Sequence, residues 1–323
     1  MNSAHWVLGV DTSAYTTSLA VVGESTIRCD VRRLVAVPQG RRGVRPQEAV
    51  FHHIRQLPEL WDAVAQALPA SRLAAVAASA RPRPKPDSYL PTFMAGLGFA
   101  RVLARALEVP LFTTSHQEGH LRAALGLEGV PDAPFWALHL SGGTTELLWA
   151  TPRAEGGFAI EEVGTSADLY VGQLVDRIGV ALGLGFPAGP ALERLAGEVA
   201  PPAPLPCARP WRKEGSWWIS LSGPEAELKR RIAAGQPAAE VAALLQETLA
   251  LAISQLVEAA ASPGLLWVVG GVAANFRLRH VLEQRLAPRG FQLRFASPEL
   301  SRDNAVGVAW VGLDALLANQ SNR

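Results

Sequence analysis

Cysteine is scarce in this chain: Cys29 and Cys207 are the only cysteines among 323 residues, and neither has a Cys-x-x-Cys partner. A disulfide framework is therefore excluded, and two isolated thiols suit a reducing interior. The first residues lack the charged segment, apolar core and cleavage site of a secretory signal, and no uncharged apolar stretch has the length and flanks of a transmembrane helix. We therefore expect a cytoplasmic protein that does not use a membrane.

Excess charge of one sign is also lacking. The net charge is +1, with 49% hydrophobic and 18% charged residues, which is typical of a globular protein. This balance argues against a broad electrostatic nucleic-acid binder but leaves room for a local basic patch. The candidate phosphate contacts are Arg41, Arg42, Arg45 and Lys229. Neither a Walker A motif nor a Gly-x-Gly-x-x-Gly fingerprint is present.

Two histidines four residues apart are the most informative feature. On a helix, His116 and His120 stack on one face and can hold one metal ion. Asp303 can supply a carboxylate that completes a three-ligand site with open positions. Such a site does chemistry, whereas a closed four-ligand site is structural. The pattern therefore favours an enzyme.

The surroundings of the histidines refine this prediction. Thr114 or Ser115 is suited to cap the helix and so fix both rings on a rigid element. Glu118 occupies the third position of the motif rather than the second, which rotates it by about 100° from the place of a zincin base. Asp303 and Asn304 precede an apolar run, so we expect them at a helix N-terminus. A zincin-type protease is therefore disfavoured.

Hydrophobic patterning predicts the same order of elements twice, a strand hairpin followed by alternating helices and strands. Strands are predicted at residues 6–10, 17–22, 27–31, 73–78, 135–140, 145–150, 158–163 and 265–269. Helices are predicted at 46–68 with an interruption at Pro58, at 93–107, 174–182, 190–197, 225–232, 240–261 and 275–286, and after Asp303. Residues 201–210 are predicted to form an exposed proline-rich loop. The duplication indicates two related α/β lobes with a ligand site in the cleft between them.

Three glycine-rich segments could approach an anionic ligand. Ser141-Gly142-Gly143 lies between two predicted strands, where backbone N–H groups can come close to an oxygen. Gly270 to Asn275 follows a buried strand and opens a helix, which suits a phosphate or base. Residues 183–190 lie between two helices. The combination with a duplicated α/β plan favours a nucleotide.

These residues, in this order, resemble the TsaD/Kae1/Gcp family of tRNA N6-adenosine threonylcarbamoyltransferases. The resemblance runs from residues 8–13 through 116–120, 141–143, Asp176, 183–190 and 270–275 to Asp303-Asn304. It implies the actin/Hsp70/sugar-kinase (ASKHA) fold, an α/β fold with two duplicated RNase H-like lobes and a central cleft. We expect a first lobe at residues 1–130, completed by a C-terminal helix at 304–323. The second lobe, at 131–303, then carries the nucleotide-binding segments.

The resemblance also implies the site. His116, His120 and Asp303 would hold one divalent metal, Fe²⁺ or Zn²⁺, and act in catalysis through it; Asp11 completes the predicted catalytic set. The implied ligand is an adenylate, threonylcarbamoyl-AMP or ATP/ADP. Its predicted binding residues are His139, Leu140, Ser141, Gly142, Gly143, Asp176, Gly189 and Asn275. The family transfers a threonylcarbamoyl group to N6 of adenosine 37 of tRNA, so tRNA and TsaB/TsaE-like subunits are the implied partners.

The chain departs from the family pattern at several places. With these departures it resembles a divergent bacterial Kae1-like paralogue. Residues 13–17 lack the family's two acidic residues, Thr144 replaces a histidine, and Ala188 replaces a glycine. We expect a metal-dependent transfer of a threonylcarbamoyl group or a closely related carbamoyl transfer. One alternative is a non-catalytic, nucleotide-binding scaffold subunit of the same fold. Another is a kinase or ATPase that uses Asp11-Thr12-Ser13 as its first phosphate loop.

Overall fold

The computed structural model describes residues 5–36 and 44–321. The chain divides into two compact units, each of which is described by itself. Unit 1 comprises residues 1–133, 151–159 and 302–323, and unit 2 comprises residues 134–150 and 160–301. Candidate phosphate contacts Arg41 and Arg42 lie outside the described residues.

Unit 1 contains a five-stranded sheet in the order β3-β2-β1-β4-β5. Its strands are β1 (Trp6–Thr12), β2 (Thr16–Gly23), β3 (Thr26–Leu34), β4 (Leu73–Arg81) and β5 (Leu111–Ser115). The first three form an antiparallel meander, and β4 and β5 add in parallel to β1. Strand β2 is buried along its whole length, in keeping with the apolar run of its second half, Leu19 to Val22.

The described part of unit 1 contains four helices. They are α1 (Pro46–Ala67), α2 (Thr92–Ala106), α3 (His116–Leu125) and, at the end of the chain, α10 (Val306–Ser321). The buried residues of α1 and α2 form a core with β1, β2 and β4. Helix α10 contacts β1, β2, β4 and α3, so a late segment of the chain completes the packing around the first strands.

Unit 2 repeats the strand plan and extends it. Its seven-stranded sheet has the order β12-β11-β6-β7-β8-β10-β9. The strands are β6 (Phe135–Leu140), β7 (Thr145–Pro152), β8 (Phe158–Ser166), β9 (Trp211–Lys213), β10 (Ser216–Ile219), β11 (Leu265–Val269) and β12 (Gln292–Phe295). The run β8-β7-β6-β11-β12 matches β3-β2-β1-β4-β5, as the predicted duplication requires.

Six further helices follow β8 in chain order. They are α4 (Val171–Ala181), α5 (Gly189–Ala196), α6 (Ser222–Ala233), α7 (Ala238–Ala260), α8 (Phe276–Leu286) and the short α9 (Pro298–Ser301). Helix α7 lies at the centre of the unit 2 core, together with residues from α4, α5, α8 and the sheet. Residues 201–210 form neither helix nor strand, as predicted.

Three features differ from the sequence predictions. Helix α1 is not interrupted at Pro58, which is exposed while its neighbours Leu57 and Leu60 are buried in the core. That packing outweighs the one helical hydrogen bond that proline removes. The hairpin β9–β10 and strand β12 were not predicted, because strands of three or four residues are too short to show a period-two pattern.

Helix α7 bears on the membrane prediction. By length and composition alone it is apolar enough to cross a bilayer, although it carries Glu240, Glu247 and Glu258 and so is not an uncharged stretch. However, 83% of its most apolar window is buried inside the protein. That burial is the property of a core helix, and the helix is weak support for a membrane span.

Candidate metal centre

The two histidines lie on α3, whose first turn is fixed by a capping box. The hydroxyl of Ser115 accepts a hydrogen bond from the Glu118 N–H at 3.2 Å, and the Ser115 N–H donates to the Glu118 carboxylate at 3.0 Å. Glu118 is buried and also accepts from Thr114 Oγ1 at 3.1 Å and from the Phe158 N–H at 3.1 Å. The glutamate between the histidines therefore holds the helix start, as its third position in the motif suggested.

Helix α3 crosses α10 where two glycines meet. A Cβ on Gly307 would lie 1.9 Å from the Gly119 carbonyl oxygen, and a Cβ on Gly119 would lie 2.8 Å from Val308 Cγ2. Only glycine permits this approach. Beyond the crossing, Arg122 Nε donates to Asp314 Oδ2 at 2.7 Å. The glycine of the histidine motif thus sets the distance between α3 and α10.

The third candidate ligand immediately precedes α10. Asn304 Oδ1 accepts from the Gly307 N–H at 3.2 Å, and the Ala305 N–H donates to Ser18 Oγ at 2.9 Å. These bonds hold the helix start against β2. Asp303 itself lies just before this turn, with Ser13 Oγ donating to its Oδ2 at 2.5 Å. Its other oxygen is thereby directed to the histidines.

The three side chains converge. His116, His120 and Asp303 each offer a ligand atom, and these atoms all lie within 4.8 Å of one another. His120 Nε2 is 3.1 Å from His116 Nε2 and 3.3 Å from Asp303 Oδ1, while His116 Nε2 is 3.6 Å from the same oxygen. The side chain of His120 is 4% exposed and that of Asp303 is 33% exposed, so the cluster is reached from the Asp303 side.

Asp11 lies behind His116 and is completely buried. Its Oδ1 is 3.0 Å from His116 Nδ1 and also accepts a short hydrogen bond from the hydroxyl of Ser79. Within the described part of the chain, Asp11 Oδ2 has no hydrogen-bond partner. Asp11 was predicted to be catalytic. Because it contacts His116 Nδ1 rather than the Nε2 that faces the cluster, it has the geometry of a residue that positions the His116 ring.

The electrostatics favour a positive charge in the cluster. Burial lowers the pKa of His116, but the charge of Asp11, its hydrogen bond and the nearby Asp303 together raise this pKa well above its ordinary value. Burial raises the pKa of Asp303, but hydrogen bonds from His116 and His120 hold it well below its ordinary value. A proton or a metal ion can supply the positive charge that both shifts indicate.

The donor set fits a divalent metal ion. Asp11 accepts the Nδ1 proton of His116, which leaves the Nε2 lone pair directed into the cluster. A separation of 3.1 Å between the two Nε2 atoms suits nitrogens that each lie about 2 Å from one ion. Two imidazoles and one carboxylate leave positions for a further ligand and suit Fe²⁺ or Zn²⁺.

In unit 2, the predicted ligand residues begin at the turn after β6. Gly142 and Gly143 are exposed, and a Cβ on either would meet no atom within 4 Å. The Gly172 N–H, at the start of α4, donates to the Ser141 carbonyl at 3.2 Å, and a Cβ on Gly172 would lie 2.5 Å from that oxygen. His139 and Leu140 are buried at the end of β6. The start of α4 thus fixes one side of the turn, while Gly142 and Gly143 leave its other side open to solvent.

The other predicted ligand residues lie on neighbouring helices of unit 2. Gly189 begins α5 and Asn275 caps α8, where its Oδ1 accepts from the Leu278 N–H at 2.8 Å. Both residues line one small cavity of about 20 Å³. Asp176, on α4, accepts from the Ala188 N–H at 2.8 Å, and burial raises its pKa. The structure therefore places Gly189 and Asn275 together, while Asp176 braces the turn before α5.

The remaining candidate phosphate contacts are less suited to that role. Lys229 Nζ is 2.7 Å from Glu225 on the same helix, and Arg230 and Arg231 both pair with Glu227. Arg45 is exposed and forms the N-cap position of α1. The cluster on α6 is therefore largely neutralised by its own helix.

Sequence reasoning missed the residues that support the cluster. Ser13, Ser79 and the Gly119–Gly307 contact join positions far apart in the chain, and no local pattern reports such contacts. The one available signal was the capping-box spacing from Ser115 to Glu118, which identifies a fixed helix start.

Comparisons with known proteins identify the family of the chain. The family described as "TsaD: tRNA N6-adenosine threonylcarbamoyltransferase" matches residues 31–310. A protein of that name from Thermus thermophilus is 34% identical over 95% of this chain and 90% of its own length. Another from Symbiobacterium thermophilum is 32% identical over 95% of this chain and 90% of its length.

The fold also has solved counterparts. Component A of the (R)-2-hydroxyglutaryl-CoA dehydratase of Acidaminococcus fermentans superposes with a TM-score of 0.57 at 14% identity, over 97% of this chain and 100% of that chain. A likeness at that identity establishes the fold alone, the actin/Hsp70/sugar-kinase fold predicted from the sequence. On the family match and the two relatives, the chain belongs to the TsaD family of tRNA N6-adenosine threonylcarbamoyltransferases.

Proposed function

We propose that this protein transfers a threonylcarbamoyl group from threonylcarbamoyl-AMP to N6 of adenosine 37 in tRNA. In this reaction the N6 amine attacks the carbamoyl carbon, the bond from that carbon to the phosphate oxygen breaks, and AMP leaves. The acceptor loses one proton from N6. We further propose that the protein works in the cytoplasm, with TsaB/TsaE-like subunits as partners.

The convergence of His116, His120 and Asp303 is the observation that carries this proposal. A scaffold subunit of the same fold would not require three ligand atoms within 4.8 Å, nor a buried carboxylate behind one of them. A kinase of this fold would have no use for the histidine pair. The cluster, in a chain of this family, therefore favours the transferase over both alternatives.

Each residue then has a definite task. His116, His120 and Asp303 would hold the divalent ion, which, when bound, polarises a carbonyl for attack by a weak amine. Asp11 fixes the His116 ring and its Nδ1 proton, and Ser13 fixes one oxygen of Asp303. The partial exposure of Asp303 leaves a route by which the substrate can enter.

Unit 2 would hold the adenylate. The open backbone of Gly142 and Gly143 can approach a phosphate closely, because no side chain stands in the way. Gly189 and Asn275, which lie near each other at the starts of α5 and α8, are the proposed contacts for the nucleoside. His139, Leu140, Ser141 and Asp176 complete the proposed binding set.

The test is to incubate the purified chain with threonylcarbamoyl-AMP and unmodified tRNA, alone and with TsaB/TsaE-type subunits. Modified adenosine is then quantified by mass spectrometry of the nuclease digest. We expect product that depends on an added divalent metal and is abolished in His120→Ala. The matched control is His280→Ala, which removes an exposed histidine on α8 and should retain wild-type activity.

Two results would contradict the proposal. The first is a wild-type chain that binds metal and adenylate but forms no modified adenosine, with or without the added subunits. The second is a His120→Ala variant that is as active as wild type at every metal concentration. The first result would favour the scaffold alternative.

A further inference from the structure

The hairpin of β9 and β10 is not used by the proposed site. Strand β9 is the last strand of the seven-stranded sheet, so among the described residues its outer edge is unpaired. The hairpin follows the proline-rich segment 201–210 and ends just before α6. It is therefore an exposed edge of unit 2.

The two faces of this hairpin differ. Trp217 packs against the unit 2 core and Ile219 is part of it, so these alternate residues of β10 face inward. Trp218 faces the opposite way and pairs across the strands with Trp211. Trp211 is 37% exposed, and Trp218 Nε1 donates to the Lys213 carbonyl at 3.2 Å. The outward face thus carries an exposed Trp211 beside a half-buried Trp218 whose indole N–H is held by the backbone.

Positive charge surrounds these indoles. Arg209, Arg212 and Lys213 against Glu214 give a net charge of +2 over residues 209–214, compared with +1 for the whole chain. All four residues are exposed. Lys213 lies 3.7 Å from Glu214, whereas Arg209 and Arg212 form no ion pair within the described residues. This contrasts with α6, whose cations are paired with glutamates one turn away.

Cations on an edge strand have a simpler use, which is to prevent unwanted pairing with another strand. That use does not explain the indoles, since exposed tryptophans on an edge increase the tendency to associate. Aromatic faces beside exposed cations are the usual means of binding an unstacked nucleic-acid base next to its phosphates. The combination therefore favours a ligand with unstacked bases and phosphates, such as an RNA loop.

We propose that the β9–β10 hairpin is a docking surface for tRNA. A base stacks on the outward face at Trp211, and Arg209 and Lys213 contact the phosphates beside it. The identity of the RNA rests on the proposed function, whereas the surface itself rests on the hairpin geometry.

The experiment measures tRNA binding by the full-length protein over a series of salt concentrations, using fluorescence anisotropy. We expect Trp211→Ala to weaken binding roughly 5- to 150-fold, the range for loss of one stacked base, and Trp211→Phe to restore most of it. We expect Arg209→Ala/Lys213→Ala to reduce the slope of log affinity against log salt by about 1.5. Because each of these residues is exposed, on the hairpin or just before it, circular dichroism should show an unchanged fold.

Arg230→Ala/Arg231→Ala is the matched control, since it removes the same charge from α6 and should change the slope by less. A second arm uses heparin, a polyanion without bases, whose binding Trp211→Ala should leave unchanged. Unaltered tRNA binding in the hairpin variants, or a larger loss in the α6 variant, overturns the docking surface and leaves the transferase proposal intact. A wild-type chain that neither binds nor modifies tRNA overturns both proposals.

Discussion

The turn after β1 and the turn after β6 occupy the same place in the duplicated plan, yet they are built in opposite ways. In unit 1, Asp11 and Thr12 at the end of β1 and Ser13 at the start of the turn have buried side chains, each at most 3% exposed. The second, in unit 2, has Gly142 and Gly143 in the open, with free space where a side chain would stand. One topological position thus presents carboxylate and hydroxyl groups in unit 1 and bare backbone in unit 2.

The difference matches two kinds of ligand. A metal ion needs side-chain donors held at fixed positions, and those positions depend on close packing around them. A phosphate is bound well by backbone N–H groups, which need access more than packing. The unit 1 site should therefore be sensitive to changes in packing, and the unit 2 turn should tolerate them.

The largest expected effect is that of Gly307→Ala. The added methyl would overlap the Gly119 carbonyl, so α3 and α10 must separate, and we expect a loss of about 3 kcal/mol in the free energy of unfolding together with a loss of bound metal. Denaturant titration and metal analysis measure the two effects. Gly98→Ala is the control. The added Cβ would meet no atom within 4 Å, and alanine at this exposed helical position should raise the free energy of unfolding slightly. Equal stability of the two variants would contradict the packing argument.

The second prediction concerns the carboxylate behind His116. We expect Asp11→Asn to weaken binding of Zn²⁺ about 10- to 100-fold, because the ring loses its charged partner while the metal ligands remain. Competition with a chromophoric chelator measures the affinity. The same substitution in unit 2, Asp176→Asn, should leave metal affinity unchanged. If both variants bind metal like wild type, Asp11 does not position His116.

The third prediction concerns pH and the stability of unit 2. Asp168 accepts bonds from the Leu221 and Ser222 N–H groups and the Ser220 hydroxyl; burial opposes ionisation, but these bonds lower its pKa to about 2. A lowered pKa stabilises the fold at pH values above the ordinary pKa of 3.8, and that contribution is lost as the pH falls toward 2.

We therefore expect Asp168→Asn to be about 1 kcal/mol less stable than wild type at pH 7, a value that allows for the partial exposure of this carboxylate. The difference between the two proteins should shrink between pH 3.8 and about 2. Denaturant titrations at several pH values measure it. A difference that stays constant down to pH 2 would show that the charge of Asp168 is not the cause.

The smallest expected change in stability is that of Gly143→Ala. Since the methyl group meets no atom of the protein, the free energy of unfolding should change by less than about 0.5 kcal/mol. The affinity for AMP, measured by calorimetry, should nevertheless fall, because the methyl occupies the space through which a phosphate approaches. Wild-type affinity for AMP would remove this turn from the proposed nucleotide site.

Much of the fold followed from local sequence. The apolar strands β1, β2, β6 and β7 and the glycine turn between the latter two show clear local patterns, and the repeated order of elements indicated two lobes. What local sequence misses is contact at long range. The sequence predicted a break at Pro58 because proline removes a local helical hydrogen bond. The packing of Leu57 and Leu60, which maintains the helix, is a tertiary contact that local sequence does not show.

The candidate site likewise combines features that local sequence predicts with long-range contacts that it does not. The spacing of His116 and His120 was readable because a helix places such residues on one face. Their convergence with Asp303 was a hypothesis about two segments far apart in the chain, and the structure brings the three ligand atoms together. Ser79, Ser13 and Gly307 could not be identified beforehand, since each acts through a partner more than 60 residues away.

The position of Asp303 in the chain has a consequence for biosynthesis. The ribosome adds Asp303 as the residue 183 positions after His120. Throughout that interval the nascent protein has both histidines but not yet Asp303, the carboxylate that precedes α10. The three-residue cluster, and the packing of α10 around the first strands, are therefore completed only by the last segment of the chain.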